Sequence, residues 1–172
     1  MPISDTETPA EKARRTGAVA GHADARDVLR VRPAQPGDLD RVIAIDARVT
    51  GVEKTDYWYE VFHRYGARGG RQRFFFVADL DGVVEGFVIG EVRDWEFGEP
   101  PCGWVFGIAV RPEARLAGVG ARLLEAVQAA FRAAGVGKVR TLVARNNHLV
   151  LSFFRSQGMI AAPFIPLELD LE

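Results

Sequence analysis

Between Gly107 and Leu124 the chain reads Gly-Ile-Ala-Val-Arg-Pro-Glu-Ala-Arg-Leu-Ala-Gly-Val-Gly-Ala-Arg-Leu-Leu, and few folds accommodate that order. The apolar run that stops at Pro112 reads as a buried strand. Beyond it Val119, Leu123, Val127, Ala130, Phe131 and Ala134 recur at helical spacing, and Gly135 ends the pattern. A strand must therefore hand over to a helix within a short basic loop that contains Gly118 and Gly120. N–H groups at a helix start carry partial positive charge, and glycines let the backbone close around an anion. Arg111, Arg115 and Arg122 add positive charge to the same corner, which suits a phosphate or pyrophosphate.

Two common phosphate loops do not fit. A P-loop needs Gly-Lys-Ser/Thr, and no lysine follows either glycine; a dinucleotide fingerprint needs a third glycine where Leu123 stands. The pattern present is Arg115-x-x-Gly118-x-Gly120, directly after a strand ending Val110-Arg111-Pro112. In this the chain resembles the GCN5-related N-acetyltransferases. The resemblance implies that Arg115, Leu116, Ala117, Gly118, Val119, Gly120 and Ala121 wrap the pyrophosphate of acetyl-CoA. It also implies that backbone groups of Ile108, Ala109 and Val110 pair with the pantetheine arm. A tight strand-to-helix turn that binds nothing is the competing reading, because Gly-x-Gly alone is common.

The bulk properties exclude several classes. A length of 172 residues suits one domain, and 48% hydrophobic with 26% charged residues is ordinary for a globular protein. A net charge of -1 gives no reason to expect nucleic acid or a membrane surface as partner. The single cysteine, Cys102, rules out an internal disulfide, and His22, His63 and His148 lack metal-motif spacing, so no metal is expected. No apolar run approaches the roughly 20 residues of a membrane span. No long apolar stretch follows Arg14-Arg15, so a cytoplasmic location is the expectation.

Residues 1–28 carry almost no large apolar side chains and are expected to be a disordered tail before a single domain at 29–172. Alternation predicts a strand at 29–32. Helices follow at about 38–50, with Leu39, Val42 and Ile43 inward, and at about 56–65. Asp81-Gly82 between two β-rich runs predicts a hairpin. A second hairpin around Gly98–Gly103 leads into the central strand. Further strands are predicted at 138–144 and 166–171, with a helix at 147–157 between them. The order β-α-α-β-β-β-α-β-α-β matches the acetyltransferase fold implied by the resemblance: α/β, a mixed central sheet with helices on both faces.

Asn147 through Met159 resembles a second family element, Asn-x-x-Ala-x-x-Leu-Tyr-x-x-x-Gly-Phe. The resemblance puts Asn147 on the cofactor's arm. It puts Phe154 beside the sulfur, where many members carry a tyrosine that protonates the leaving thiolate. Phenylalanine has no proton to give, so water, Ser152 or His148 is left for that task. The usual base position is also empty, since Cys102 to Val110 contain no acid. Glu91, expected opposite about Phe106, is the best remaining base, while Asp56, Glu60, Glu96 and Glu99 could line an acceptor cleft. Tyr57, Trp58, Tyr59 and Phe62 read either as a pocket or as helix anchors. The reading is acetyl transfer from acetyl-CoA to a primary amine, on a small molecule or a protein, by direct transfer in a ternary complex. The family tendency to pair also suggests a homodimer. A CoA-dependent binding or regulatory domain without chemistry is the alternative.

Overall fold

A computed structural model of the chain describes residues 29–66 and 70–171, so the expected tail lies outside the described part. β1 (Leu29–Pro33) leads through a 3-10 turn at Pro36–Asp38 into α1 (Leu39–Thr50) and α2 (Thr55–Tyr65). β2 (Arg73–Leu80), β3 (Val83–Arg93) and β4 (Cys102–Val110) follow. A 3-10 turn at Pro112–Ala117 opens α3 (Val119–Ala133); then come β5 (Val139–Arg140) and α4 (His148–Ser156). The strands lie in sequence order, antiparallel from β1 to β4 and parallel between β4 and β5. The β2–β3 turn places Asp81 and Gly82 at positive φ, 51° and 83°, as the Asp-Gly pair predicted.

Alternating side chains divide the sheet between two cores. On one face Phe75, Val77, Phe87 and Ile89 pack with Leu39, Val42 and Ile45 of α1 and Trp58 of α2. On the other, Val88 and Val105 pack with Val119, Leu123, Val127 and Phe131 of α3. Helices therefore cover both faces. The first face is pinned by buried polar ties. Arg32 grips both oxygens of Asp38 (2.7 and 2.9 Å) and reaches Asp79 (2.9 Å), while Trp58 Nε1 donates to Asp46 (2.9 Å). None of the helices among the described residues is long and apolar enough to cross a membrane.

Two expected strands differ. The strand placed at 138–144 pairs only at Val139 and Arg140, opposite Gly103 and Trp104, and the chain then leaves the sheet. The segment 166–171 has the alternation of a strand but no ladder, and Ile165, Leu167, Leu169 and Leu171 are exposed. Period 2 gives a strand one apolar face; hydrogen bonding still requires an edge to join, which this segment does not meet.

α3 can lie close to the sheet because two glycines face it. A Cβ at Gly103 would stand 2.5 Å from the Phe131 ring, and one at Gly90 would stand 2.7 Å from it. Gly103→Ala should therefore cost about 1–3 kcal/mol, the usual penalty of overpacking. Denaturant unfolding measures it, and an unshifted midpoint would show that the ring can step aside.

Candidate functional site

The site begins where β4 and β5 part. Beyond Trp104, the backbone groups of β4 that point away from β3 have no strand partner among the described residues. A cavity of about 440 Å³ opens along this edge, with Ile108, Ala109 and Val110 on one side. The loop and helix start contribute Arg115, Gly118, Gly120 and Ala121, and Val49 reaches in from the last turn of α1. Leu149, Val150, Phe153 and Gln157, one face of α4 and its C-cap, close the far wall.

The helix start is built for an anion. Gly118 caps α3 at φ 73°, a conformation glycine adopts without penalty, and the first N–H groups of the helix have no intrahelical acceptor. Gly120 is needed for a different reason: a Cβ there would stand 3.1 Å from the Phe153 ring. The charge is distributed differently from the sequence reading. Arg111 is held by Glu85 in a two-point pair, with Nη2 to Oε1 at 2.8 Å, and Arg122 stands 4.0 Å from Glu125. Arg115 lines the cavity with no carboxylate partner among the described residues. The positive field at the loop comes from Arg115 and the α3 N-terminus, not from three free arginines.

Ile108, Ala109, Val110, Arg115, Gly118, Gly120 and Ala121 thus come together as expected from the sequence. Val119 and Ala117 do not line the cavity: Val119 is fully buried under α3, and Ala117 ends the 3-10 turn. The side chain of Leu116 lies outside the described part. Asn147 is the N-cap of α4, its Oδ1 accepting the Val150 N–H at 3.2 Å. Phe154 requires a correction. It is 4% exposed and belongs to the α3-side core, while its neighbour Phe153 forms the cavity wall. Successive helical residues differ by about 100° around the axis, so two adjacent phenylalanines face different things. The spacing 149, 150, 153, 157 was the signal available for the α4 wall; nothing local marked Val49.

Glu91 also sits elsewhere than expected. Ile89 pairs with Gly107 and Gly90 with Val105, so Phe106 is an extra residue in a β-bulge and Glu91 faces Trp104. Tyr65, at the end of α2, donates its hydroxyl to Glu91 Oε2 at 2.8 Å, and Arg93 Nε donates to Oε1 at 2.8 Å. Burial pushes the Glu91 carboxyl up. The hydrogen bonds from Arg93 and Tyr65 and the charges of Arg93 and Arg73 outweigh it, so the net shift is below the ordinary value. Burial, reinforced by the Glu91 carboxylate, raises the Tyr65 phenol. The Tyr65 ring meets Phe106 edge-on at 5.0 Å, which sets the pair beside the bulge.

The other candidates separate. Trp58 packs edge-on against Phe87 at 4.8 Å, and Phe62 packs against Phe75, so both are anchors, whereas Tyr57 and Tyr59 are exposed. Glu99 holds Lys138 (2.7 Å) and Arg140 (2.8 Å) at β5, and Glu60 pairs with Arg64. Glu96 stands 3.8 Å from Arg93, and Asp56 is exposed. Cys102 is buried and its thiol is pushed up, which makes it a poor nucleophile.

One family model matches most of the chain, and solved structures share its fold. The sequence model described as "Acetyltransferase (GNAT) family" matches residues 39–159. Among solved structures, the aminoglycoside N-acetyltransferase AAC(6')-Iy in complex with CoA is 19% identical with a TM-score of 0.74, over 84% of this chain and 95% of that one. The aminoglycoside 6'-N-acetyltransferase AAC(6')-Ih from Acinetobacter baumannii is 15% identical with a TM-score of 0.71, over 84% and 100%. A transcriptional regulator from Bacillus halodurans C-125 is 15% identical with a TM-score of 0.70, over the same shares. No curated protein sequence matches the chain.

The two phenylalanines should respond differently. Phe154→Ala should lower stability by about 3–5 kcal/mol, as for a buried ring. Phe153→Ala should cost less stability and weaken CoA binding by widening the cavity. Unfolding and calorimetry on both variants measure this, and a reversed order would reassign the cavity wall to Phe154.

Proposed function

The chain belongs to the acetyltransferase (GNAT) family and is an acetyl-CoA-dependent N-acetyltransferase; we propose that the cavity between β4 and β5 holds the donor, and that the primary amine acceptor, on a small molecule or a protein, meets it at the Phe106 bulge beside Tyr65 and Glu91. The observation that carries this reading is the cavity itself. A strand edge and a glycine-capped helix start open into one space, beside an arginine that has no carboxylate partner among the described residues.

The residues present fit the donor. Acetyl-CoA supplies an acetyl group activated as a thioester. Arg115 and the free N–H groups at the start of α3 offer charge and hydrogen bonds to the pyrophosphate. The open edge of β4 offers backbone donors and acceptors to an amide-bearing arm, as a strand offers them to another strand. An N–H on that edge can also polarise the thioester carbonyl. Phe153, Leu149 and Val150 keep water from the arm.

In this reading Glu91 takes the proton that the amine nitrogen loses as it bonds to the acetyl carbon. Tyr65 and Arg93 hold it in one orientation and keep it ionised. When the carbon–sulfur bond breaks, the sulfur takes its proton from water, Ser152 or His148, since neither Phe153 nor Phe154 carries one. A CoA thiol leaves readily, so holding amine and thioester together is the larger contribution.

Three measurements test the reading. Gly118→Val forces a β-branched residue into a left-handed backbone and should weaken acetyl-CoA binding about tenfold. Unchanged affinity in a folded variant would refute the loop. Glu91→Gln should lower kcat by about 10²–10⁴-fold with donor affinity retained. Because the folded carboxyl lies below its ordinary value, Glu91 is ionised at neutral pH and above, so its titration should add no limb there and the limb in that range should follow the acceptor ammonium, moving when the acceptor is changed. A limb near neutral pH that stays put across acceptors and survives in Glu91→Gln would identify another base. The alternative, a CoA-binding domain without chemistry, is favoured by phenylalanine at the usual tyrosine position. Thiol release with a panel of amines, aminoglycosides included, decides between them: tight CoA binding without turnover would support the binder.

A further inference from the structure

Glu85 is a buried carboxylate that the reaction does not use. Its side chain is 5% exposed. It occupies a second β-bulge: Ala78 pairs with Gly86 and Asp79 with Val84, leaving Glu85 without a partner on β2. Its carbonyl accepts the Arg111 N–H at 2.8 Å, and both its carboxylate oxygens take the Arg111 guanidinium. Arg111 is the last residue before the cofactor loop, and its Nε also lies 3.9 Å from Glu113 within the loop. Glu113 is in turn held by Arg48, one residue before the cavity wall residue Val49. A chain of alternating charges, Glu85–Arg111–Glu113–Arg48, therefore runs from β3 beneath the loop to the C-terminal turn of α1.

We propose that Glu85 is a positioning residue for the donor. It withdraws Arg111 from phosphate binding and makes it a tie that fixes where the loop leaves β4, so that the start of α3 presents its N–H groups to the pyrophosphate at a set distance from the β4 edge. This inference rests on the donor site described above. A two-point Arg–carboxylate pair fixes orientation as well as distance. Glu113, 3.9 Å from Arg111, is the more distant and more exposed carboxylate, so the buried Glu85 decides where the guanidinium sits. Two roles for Arg111 predict opposite signs. If Arg111 is a tie, freeing it loosens the loop and weakens the donor; if it is a phosphate ligand restrained by Glu85, freeing it strengthens the donor.

The test compares acetyl-CoA with acetylpantetheine, which has the thioester and arm but no pyrophosphate. Steady-state thiol release gives kcat and KM for wild type, Glu85→Gln, Arg111→Met and the double variant. The expected result is a KM for acetyl-CoA raised about tenfold by each single variant, with kcat little changed. The KM for acetylpantetheine should stay at the wild-type value, and the double variant should be no worse than either single. The double variant removes both charges together, so it carries the test if the buried, unpaired Glu85 carboxylate prevents Arg111→Met from folding. An acetyl-CoA KM that falls or holds in Glu85→Gln overturns the inference. So does an acetylpantetheine KM that rises in step, which would mark a general structural role. A wild-type chain indifferent to the nucleotide half overturns the donor-loop reading and this inference with it. A wild-type preference that survives the substitutions overturns the inference alone.

Discussion

A strand edge without a neighbour carries N–H and C=O groups that need other partners. β4 has such an edge beyond Trp104, since β5 meets only Gly103 and Trp104. The cavity lies along it, and the walls follow from the same parting. α3 crosses behind β4 and delivers its N-terminus to the top of the gap, and α4, which comes after β5, forms the opposite side. Had β5 paired along the whole of β4, the backbone would be satisfied internally and there would be no room for an arm to lie. A parallel crossover that starts as a pair and then diverges is what turns an ordinary core strand into the wall of a cavity.

The sheet can diverge there without falling apart because it is held firmly elsewhere. Gly90 and Gly103 let the Phe131 ring lie against the sheet where β4 and β5 are still paired. On the opposite face Arg32 gathers Asp38 and Asp79, and Asp46 receives both the Trp58 indole and Lys54. The two bulges in β3 and β4 work at the margins of this frame. One turns Glu85 to the exit of β4, and the other leaves Phe106 as an extra residue beside the Tyr65–Glu91 pair. Each bulge re-aims a side chain that regular pairing would have placed elsewhere.

The charges show a division of labour. Arg111 and Arg115 are four residues apart on the same loop, yet Arg111 is neutralised by Glu85, whereas Arg115 faces the cavity and has no carboxylate partner among the described residues. Glu91 is likewise surrounded by Arg93 and Arg73 and kept ionised. An arginine or a glutamate in a sequence is only a charge; its use depends on which opposite charge the fold brings to it.

The sequence by itself determined the strand, loop and helix at 107–124, the turn at Asp81-Gly82 and the order of elements as far as α4, because each rests on local rules. Gly118 marks a left-handed cap, Pro112 stops a strand, and apolar spacing marks which face of α3 is buried. From those local features came the basic glycine loop and the stretch of strand, Ile108 to Val110, that lines the cavity. Only the tertiary structure decided the rest, for physical reasons that no local pattern carries. The bulge at Phe106 shifted Glu91 to Trp104, because register depends on the partner strand. Phe153 rather than Phe154 reached the cavity, because adjacent helical residues differ in direction and both are apolar. The alternation at 166–171 produced no strand, because a ladder needs an available edge. Arg111 met Glu85 across 26 positions of sequence, a pairing that exists only once β3 and β4 lie side by side.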